Sequence, residues 1–167
     1  MKILAIDPGT EGFGWAVGSP GQPPFHATYR PIRSHEDLGS FLVDIRTMLW
    51  PRLTTSKVDL IVYESPAVVR TNNIMTMRKM FALGGFLEVL GHDHNVEVVE
   101  AHPASVRKHF LGRGNTPKAS NDIKKAVIAR CNQLGWEPET DHEADALAIL
   151  DYALAIKGSR LAQMGLI

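Results

Sequence analysis

The sequence contains one cysteine and no long run of apolar residues. A lone Cys131 excludes an intramolecular disulfide and a zinc site built from several cysteines, and its apolar neighbours favour a buried thiol. No segment approaches the roughly 20 apolar residues that a membrane-spanning helix needs. Residues 1–6 carry one lysine and too short an apolar stretch for a secretory signal. We therefore expect a cytoplasmic protein without a membrane partner.

The sequence also lacks an excess of either charge, with 18 basic and 18 acidic side chains. A neutral chain argues against a nucleic-acid partner, because Lys and Arg drive phosphate binding. The charges are nevertheless segregated: residues 102–130 hold seven basic side chains and one acid, and residues 131–151 hold six acids and no Lys or Arg. This suits a protein that grips a polyanion and holds cations beside it. Two solvated helix faces of opposite sign are the alternative.

The apolar pattern predicts a single α/β domain over residues 1–167. Strands are predicted at 3–6, 15–17, 25–29, 58–63 and 96–99. Helices are predicted at 34–50, 74–90 and 103–110, from 120 or 121 to about 134, and at 140–157. This order predicts a mixed five-stranded sheet, an antiparallel hairpin plus parallel strands, flanked by helices, with the first and fourth strands side by side.

Helix boundaries follow from local signals. Ser34 with Asp37 three residues later resembles a capping box for the first helix. Gly91 suits the C-cap of the second helix, and Gly158 suits the end of the last one. The segment 92–94, His-Asp-His, would then lie in a solvated turn rather than form a metal site.

Carboxylates end two of the predicted buried strands. Asp7 follows the first strand and Glu64 the fourth, so their side chains should be neighbours. His142 and Asp145 lie three residues apart on one face of the last helix. Carboxylates gathered in this way repel one another and have raised pKa values unless divalent cations are bound. Oxygen-rich ligands suit two Mg²⁺ or Mn²⁺ ions, which promote phosphodiester hydrolysis.

Each of these residues also has a structural interpretation when it is taken alone. Asp7 could be a turn aspartate, and His142 could be an exposed residue of a helix start. Glu143 is expected to be the capping partner of Thr140, and Asp141 a charge that favours the helix dipole. The interpretation as a metal site depends on the four ligand positions together.

The same residues resemble the active-site motifs of RuvC-type Holliday-junction resolvases. The matching segments are Asp-Pro-Gly-Thr at 7–10, Gly-Trp-Ala at 14–16, Glu64, and His-Glu-Ala-Asp-Ala-Leu-Ala at 142–148. The resemblance spans nearly the whole chain. It assigns catalytic metal binding to Asp7, Glu64, His142 and Asp145. Many members of the family have aspartate where this chain has His142.

The resemblance implies an RNase H-like fold and a Mg²⁺-dependent crossover junction endodeoxyribonuclease, in which Mn²⁺ can replace Mg²⁺. It also implies a homodimer that makes paired nicks in strands of like polarity. The expected partner is branched DNA, and no nucleotide cofactor is expected.

DNA contacts are expected from two segments. Residues 103–118 resemble the family's DNA-contacting segment, and its basic side chains are Arg107, Lys108, Arg113 and Lys118. Arg70, Arg78 and Lys79 are the charged groups nearest to the loop after Glu64. These three could bind phosphates or could equally be solvated helix charges.

One departure from the family leaves other functions open. Ala67 occupies a position where the family often has an aromatic wedge, so opening of a junction by a stacked ring is in doubt. A phage-type relative with broader branched-DNA or flap activity, a YqgF-like RNase H-fold nuclease and an inactive DNA-binding scaffold are the alternatives. A nucleotide-binding domain of the actin and sugar-kinase type would need two domains and more length.

The predicted helix at 74–90 is the candidate dimer interface. It has more large apolar side chains than one face needs for its own core, and Gly84 and Gly85 would let a partner approach. A helix buried on both sides within the monomer is the alternative. The apolar side chains concerned are Met75, Met77, Met80, Phe81 and Phe86.

Overall fold

The computed structural model describes residues 1–33, 36–65, 73–112 and 120–163. Its strands are β1 Ile3–Asp7, β2 Phe13–Gly18, β3 Phe25–Tyr29, β4 Leu60–Glu64 and β5 Glu97–Ala101. Its helices are α1 Leu38–Thr55, α2 Ile74–His94, α3 Pro103–Leu111, α4 Ser120–Gln133 and α5 Asp141–Gln163.

The strands form one mixed sheet in the order β3-β2-β1-β4-β5. β1 runs antiparallel to β2 and parallel to β4, and β4 runs parallel to β5. Ile6 of β1 pairs with Tyr63 of β4, so the carboxyl ends of both strands lie at the same edge of the sheet. The predicted architecture and the predicted neighbours are confirmed, and Asp7 and Glu64 share that edge.

Helices cover both faces of the sheet. Ile3 and Ala5 of β1 belong to the core beneath α3, α4 and α5, whereas Leu4 and Ile6 belong to the core beneath α1 and α2. Both sets of side chains are fully buried. A strand that is covered on both faces leaves little water near its ends, so Asp7 is held in a poorly solvated place.

α1 differs from the prediction at both ends. It begins after Asp37, whose carboxylate accepts from the amide of Ser40 at 3.1 Å; Ser34 lies outside the described residues. The helix continues through Pro51 to Thr55 rather than ending at residue 50. Leu53 is 5% exposed, so packing of this last turn offsets the hydrogen bond that proline cannot donate.

α2 and α5 run past the glycines that were expected to end them. α2 ends at His94, and Asn95 caps it in the left-handed conformation. The last turn of the helix contains the His-Asp-His segment that was predicted to be a loop. Gly91 instead allows a close approach to β5, because a Cβ there would lie 2.1 Å from Val98 Cγ2. α5 continues beyond Gly158 to Gln163. No described helix is long and apolar enough to cross a membrane.

Candidate active site

Three elements position the four predicted ligand residues. Asp7 and Glu64 are the last residues of β1 and β4. His142 and Asp145 lie in the first turns of α5. The Thr140 hydroxyl accepts from the amide of Glu143 at 3.1 Å, which fixes where this helix begins. The N-terminus of α5 is thereby held against the carboxyl ends of the central strands.

His142 contacts Asp7 directly. Its Nδ1 lies 2.8 Å from Oδ2 of Asp7. This hydrogen bond raises the pKa of His142, because the carboxylate stabilises the imidazolium. Burial raises the pKa of Asp7 and outweighs the opposing effect of His142. The pair therefore favours a shared proton.

Glu64 and Asp145 have carboxyl groups with strongly raised pKa values. Burial and then the charges of Asp7 and Asp145 raise the pKa of Glu64 to about 7, although Arg107 lowers it. Burial and then the charge of Asp7 raise the pKa of Asp145 to about 7. Arg107 Nη2 lies 3.8 Å from Glu64 Oε1. The carboxylates are thus close enough to repel one another, and one cation compensates only part of their charge.

Two glycines let α5 and the turn after β1 approach this site. A Cβ on Gly12 would lie 2.4 Å from Nε2 of His142, so only glycine leaves room for the ring. A Cβ on Gly14 would lie 2.0 Å from the carbonyl oxygen of His142. The motif glycines therefore make space for the first turn of α5, and a side chain at either position would displace His142.

The donor set fits a hard divalent cation by its chemistry. Three carboxylates with pKa values raised by burial and mutual repulsion bind Mg²⁺ or Mn²⁺ favourably, since the cation removes the repulsion. Within the described residues, no three His, Cys, Asp or Glu side chains already form a group that could hold one metal ion. The His142–Asp7 hydrogen bond occupies two of the donor atoms.

Comparisons with known proteins cover almost the entire chain. No protein-family model matches the sequence. The chain is 26% identical over 151 residues to the crossover junction endodeoxyribonuclease RuvC of Thermomicrobium roseum. The alignment covers 89% of this chain and 90% of that protein. The chain is similar to RuvC over nearly its whole length. The predicted resemblance to RuvC-type resolvases is confirmed.

Solved structures show that the chain has the predicted RNase H-like fold. RuvC of Thermus thermophilus superposes with a TM-score of 0.70, at 22% identity, over 99% of this chain and 97% of that one. The same protein in complex with a Holliday junction substrate gives a TM-score of 0.68. A yeast mitochondrial Holliday junction resolvase gives 0.66, at 14% identity, over 91% of this chain and 77% of that one.

The predicted DNA-contacting residues lie in different surroundings. Arg107 is half-buried beside Glu64, and Lys108 is exposed on the same helix. Arg78 is exposed on α2. The remaining positions lie outside the described residues, and these are Ala67, Arg70, Arg113 and Lys118.

Lys79 does not fit the DNA-contacting role that we expected for it. It is 3% exposed, its ammonium donates to the carbonyl oxygen of Glu36 at 2.5 Å, and it lies 5.3 Å from the ring centroid of Phe41. An ammonium in this place cannot reach a phosphate without leaving the core. The predicted DNA-contacting role of Lys79 is therefore wrong, and its role is structural.

Sequence reasoning did not single out two further parts of the site. Lys124 of α4 binds the carboxylate of Asp141, which lowers the pKa of Asp141 and leaves that group committed to an ion pair. His26 of β3 lies 2.9 Å from the carboxylate of Glu143, and its other ring nitrogen lies 2.7 Å from the carbonyl oxygen of Trp136. The partners are far apart in sequence, and no local motif marks either pair.

Proposed function

We propose that this chain is a metal-dependent endodeoxyribonuclease that resolves four-way DNA junctions by paired phosphodiester hydrolysis. The observation that carries the proposal is the meeting of Asp7, Glu64 and Asp145 at one edge of the sheet, with pKa values raised by burial and by one another. Similarity to RuvC along nearly the whole chain supports the choice of substrate. The cytoplasmic location and the single domain over residues 1–167 stay predictions.

Asp7, Glu64 and Asp145 would supply oxygen ligands, and His142 a nitrogen ligand. When bound there, two Mg²⁺ ions would supply positive charge for the activation of water and the stabilisation of a leaving oxygen. Mn²⁺ is expected to substitute, since an imidazole ligand favours a softer ion than Mg²⁺. His142 would have to exchange its hydrogen bond with Asp7 for the metal. Arg107, beside Glu64, is placed to neutralise a phosphate that enters the site.

Phosphate contacts are proposed for the exposed or half-exposed cations around the site. Arg107 and Lys108 of α3 and Arg78 of α2 belong to this set. Arg70, Arg113 and Lys118 are assigned to it from the sequence. These cations would position the DNA backbone, whereas the carboxylates would hold the metal, so binding and cleavage should be separable.

We further propose a homodimer that forms through an exposed stripe on α2. Ile74 is 79% exposed, Phe81 59% and Val89 55%, and their spacing places them on one helix face with the open position Gly85. This stripe refines the predicted interface, because Phe86 packs partly into the monomer core. Gly84 lies against Tyr63 rather than at the exposed face. Two active sites at a fixed separation would permit symmetric nicks.

The purified protein with Mg²⁺ would be incubated with four-way, flap and linear duplex DNA, and the cuts would be mapped. The proposal predicts paired, symmetric cuts in the four-way junction and no cleavage after chelation. Equal cutting of flaps would identify a broader branched-DNA nuclease. Absence of cleavage with retained DNA binding would identify an inactive scaffold.

The dimer has its own test. Phe81→Arg should produce a folded monomer in sedimentation at micromolar protein, and this monomer should nick junctions singly or not at all. Val43→Arg is the matched control, because Val43 is 50% exposed on α1, outside the stripe. A wild-type monomer that makes paired cuts would contradict the interface.

A further inference from the structure

A second concave site lies at the end of the sheet opposite the carboxylates. It has a volume of about 600 Å³, within the range of cavities that hold small ligands or single anchoring side chains. The residue before β1, the end of β2, the start of β3 and the end of α1 form its walls. The length of β1 separates it from Asp7 by roughly 17 Å.

An arginine is held in the wall of this cavity, and no described carboxylate forms an ion pair with it. The Arg52 guanidinium lies 3.8 Å from the ring centroid of Trp15, and its Nη1 donates to the carbonyl oxygen of Met48. Its Nε is buried and has no hydrogen-bond partner within the part of the chain that the structure describes. Lys2, on the same wall, makes no side-chain ion pair among the described residues. The described lining residues include these two cations and no carboxylate; the nearby carboxylate of Asp59, outside the lining, accepts from the main-chain amide of Lys2 at 2.6 Å.

The lining also includes an exposed aromatic side chain. Phe25 is 71% exposed, and its ring centroid lies 5.5 Å from that of Trp15. Phe25 begins β3, an edge strand that contains no charged residue apart from a histidine; the other edge strand, β5, carries Glu97 and Glu100. Charges protect an edge strand from unwanted pairing. β3, the edge strand beside the cavity, therefore lacks the charges that would prevent another strand from pairing with it.

We propose that this cavity binds an acidic segment of a partner protein. An apolar or aromatic side chain of that segment would pack on the exposed ring of Phe25, and a neighbouring carboxylate would bind the guanidinium of Arg52 and the ammonium of Lys2. Charge complementarity supports an acidic occupant. Two cations beside an apolar wall suit a peptide better than a nucleic-acid backbone, which requires a longer row of basic side chains. The site is independent of the proposed nuclease function.

The test is titration of the isotope-labelled full chain with a blocked Asp-Asp-Phe-Asp-Asp peptide, followed by NMR. The indole signal of Trp15 and the amide signals of residues 17–19 and 25 should shift. Phe25→Ser and Lys2→Gln should each weaken binding by about tenfold, the usual loss for an anchoring contact. Val43→Ser and Arg46→Gln, exposed positions of α1 outside the cavity, are the matched controls. Junction cleavage should stay unchanged in all four variants.

Altered peptides show which side chains of the peptide the cavity recognises. Replacing Phe with Ser, or every Asp with Lys, in the peptide should remove most of the shift. Absence of binding, equal binding by the reversed-charge peptide, or shifts that map elsewhere would overturn the proposal. A single-stranded oligonucleotide that moves the same signals more strongly than the acidic peptide would also overturn it, in favour of a DNA site.

Discussion

Glu143 and Asp145 lie two residues apart on α5, but their surroundings differ. Glu143 is 5% exposed, and its carboxylate is bonded to the ring of His26 at 2.9 Å and to the amide of Glu139 at 3.1 Å. Asp145 accepts no hydrogen bond from the described residues, and burial raises its pKa to about 7. Burial alone therefore does not separate the proposed metal ligand Asp145 from Glu143; the number of hydrogen-bond donors does.

Asp44 and Glu64 repeat the contrast in another part of the molecule. Asp44 is 6% exposed, and it accepts from the Tyr29 hydroxyl at 2.5 Å and from the amide of Arg33 at 3.2 Å. Among the described residues, the guanidinium of Arg107 at 3.8 Å is the charged partner of Glu64. The fold thus supplies several donors to Asp44 and Glu143, whereas Glu64 and Asp145 accept no hydrogen bond from the described residues and Asp7 accepts one from His142. Buried carboxylates with so few donors suit a cation site.

The largest expected effect is on cleavage activity, which should separate the proposed metal ligands from the buried carboxylates that have hydrogen-bond donors. Glu64→Gln or Asp145→Asn should lower the cleavage rate by roughly 1,000-fold or more, about 4 kcal/mol of barrier, because each change removes a proposed metal ligand. DNA affinity should change little in a filter-binding or anisotropy assay. Glu143→Gln should reduce cleavage only as far as it reduces the folded fraction. Equal losses in both groups would remove the functional distinction.

The same substitutions should have opposite effects on stability. In the absence of metal at pH 8, Asp145→Asn should stabilise the chain by about 1–3 kcal/mol, because it removes an unsatisfied charge. Glu143→Gln should destabilise it by about 1–3 kcal/mol, because His26 and the amide of Glu139 lose a charged partner. Urea unfolding followed by circular dichroism measures both. Destabilisation by Asp145→Asn would mean that Asp145 has donors in solution.

The pH dependence of stability provides a third test. The folded pKa values of Glu64 and Asp145 are about 7, against ordinary values of 4.5 and 3.8. Between about pH 4 and 7 the folded state therefore binds more protons than the unfolded state, and stability should fall as pH rises, by up to about 1.4 kcal/mol per unit for each group. His142 acts in the same direction, since its raised pKa stabilises the fold until it deprotonates.

Added Mg²⁺ should reverse this loss. The stabilisation by Mg²⁺ in thermal unfolding should be larger at pH 8 than at pH 5.5, because the ion binds deprotonated carboxylates. The double variant Glu64→Gln, Asp145→Asn should show a flatter pH profile and little response to Mg²⁺. A wild-type profile without slope between pH 4 and 7 would contradict the raised pKa values.

The smallest expected effect concerns two neighbouring cations of α3. Arg107→Gln and Lys108→Gln should each lower the slope of log affinity against log salt by about one, if each binds one phosphate. Only Arg107→Gln should also move the acidic limb of the cleavage profile to higher pH, because Arg107 lowers the pKa of Glu64. Arg46→Gln is the control for a surface charge. Identical pH profiles for both α3 variants would show that Arg107 does not act on Glu64.

The contrast also shows what the sequence can predict. Asp7 and Glu64 were recognisable because each ends a short apolar run, and strand order followed from connection rules. His142 and Asp145 followed from helical spacing at a capped helix start. These signals are local, or depend only on the periodicity of one element.

Pairs between distant elements could not be predicted. The contact of His26 with Glu143 joins residues 117 apart, and nothing in either segment indicates it. Lys79 was expected to be a surface cation because lysine is rarely buried, yet its ammonium donates to the carbonyl oxygen of Glu36, 43 residues away in the sequence. Pro51 normally ends a helix, but core packing carries α1 past it. Tertiary contacts decide each of these cases.

Gly14 has a consequence for the temperature range of the enzyme. At this position β2 and the first turn of α5 meet main chain to main chain, since the carbonyl oxygen of His142 occupies the space of the missing side chain. No side chain separates the two elements at this position, so a change of rotamer on heating cannot alter the distance between them. The spacing of the residues on β1, β4 and α5 should therefore persist until the sheet itself melts, and cleavage should be lost together with the fold rather than before it.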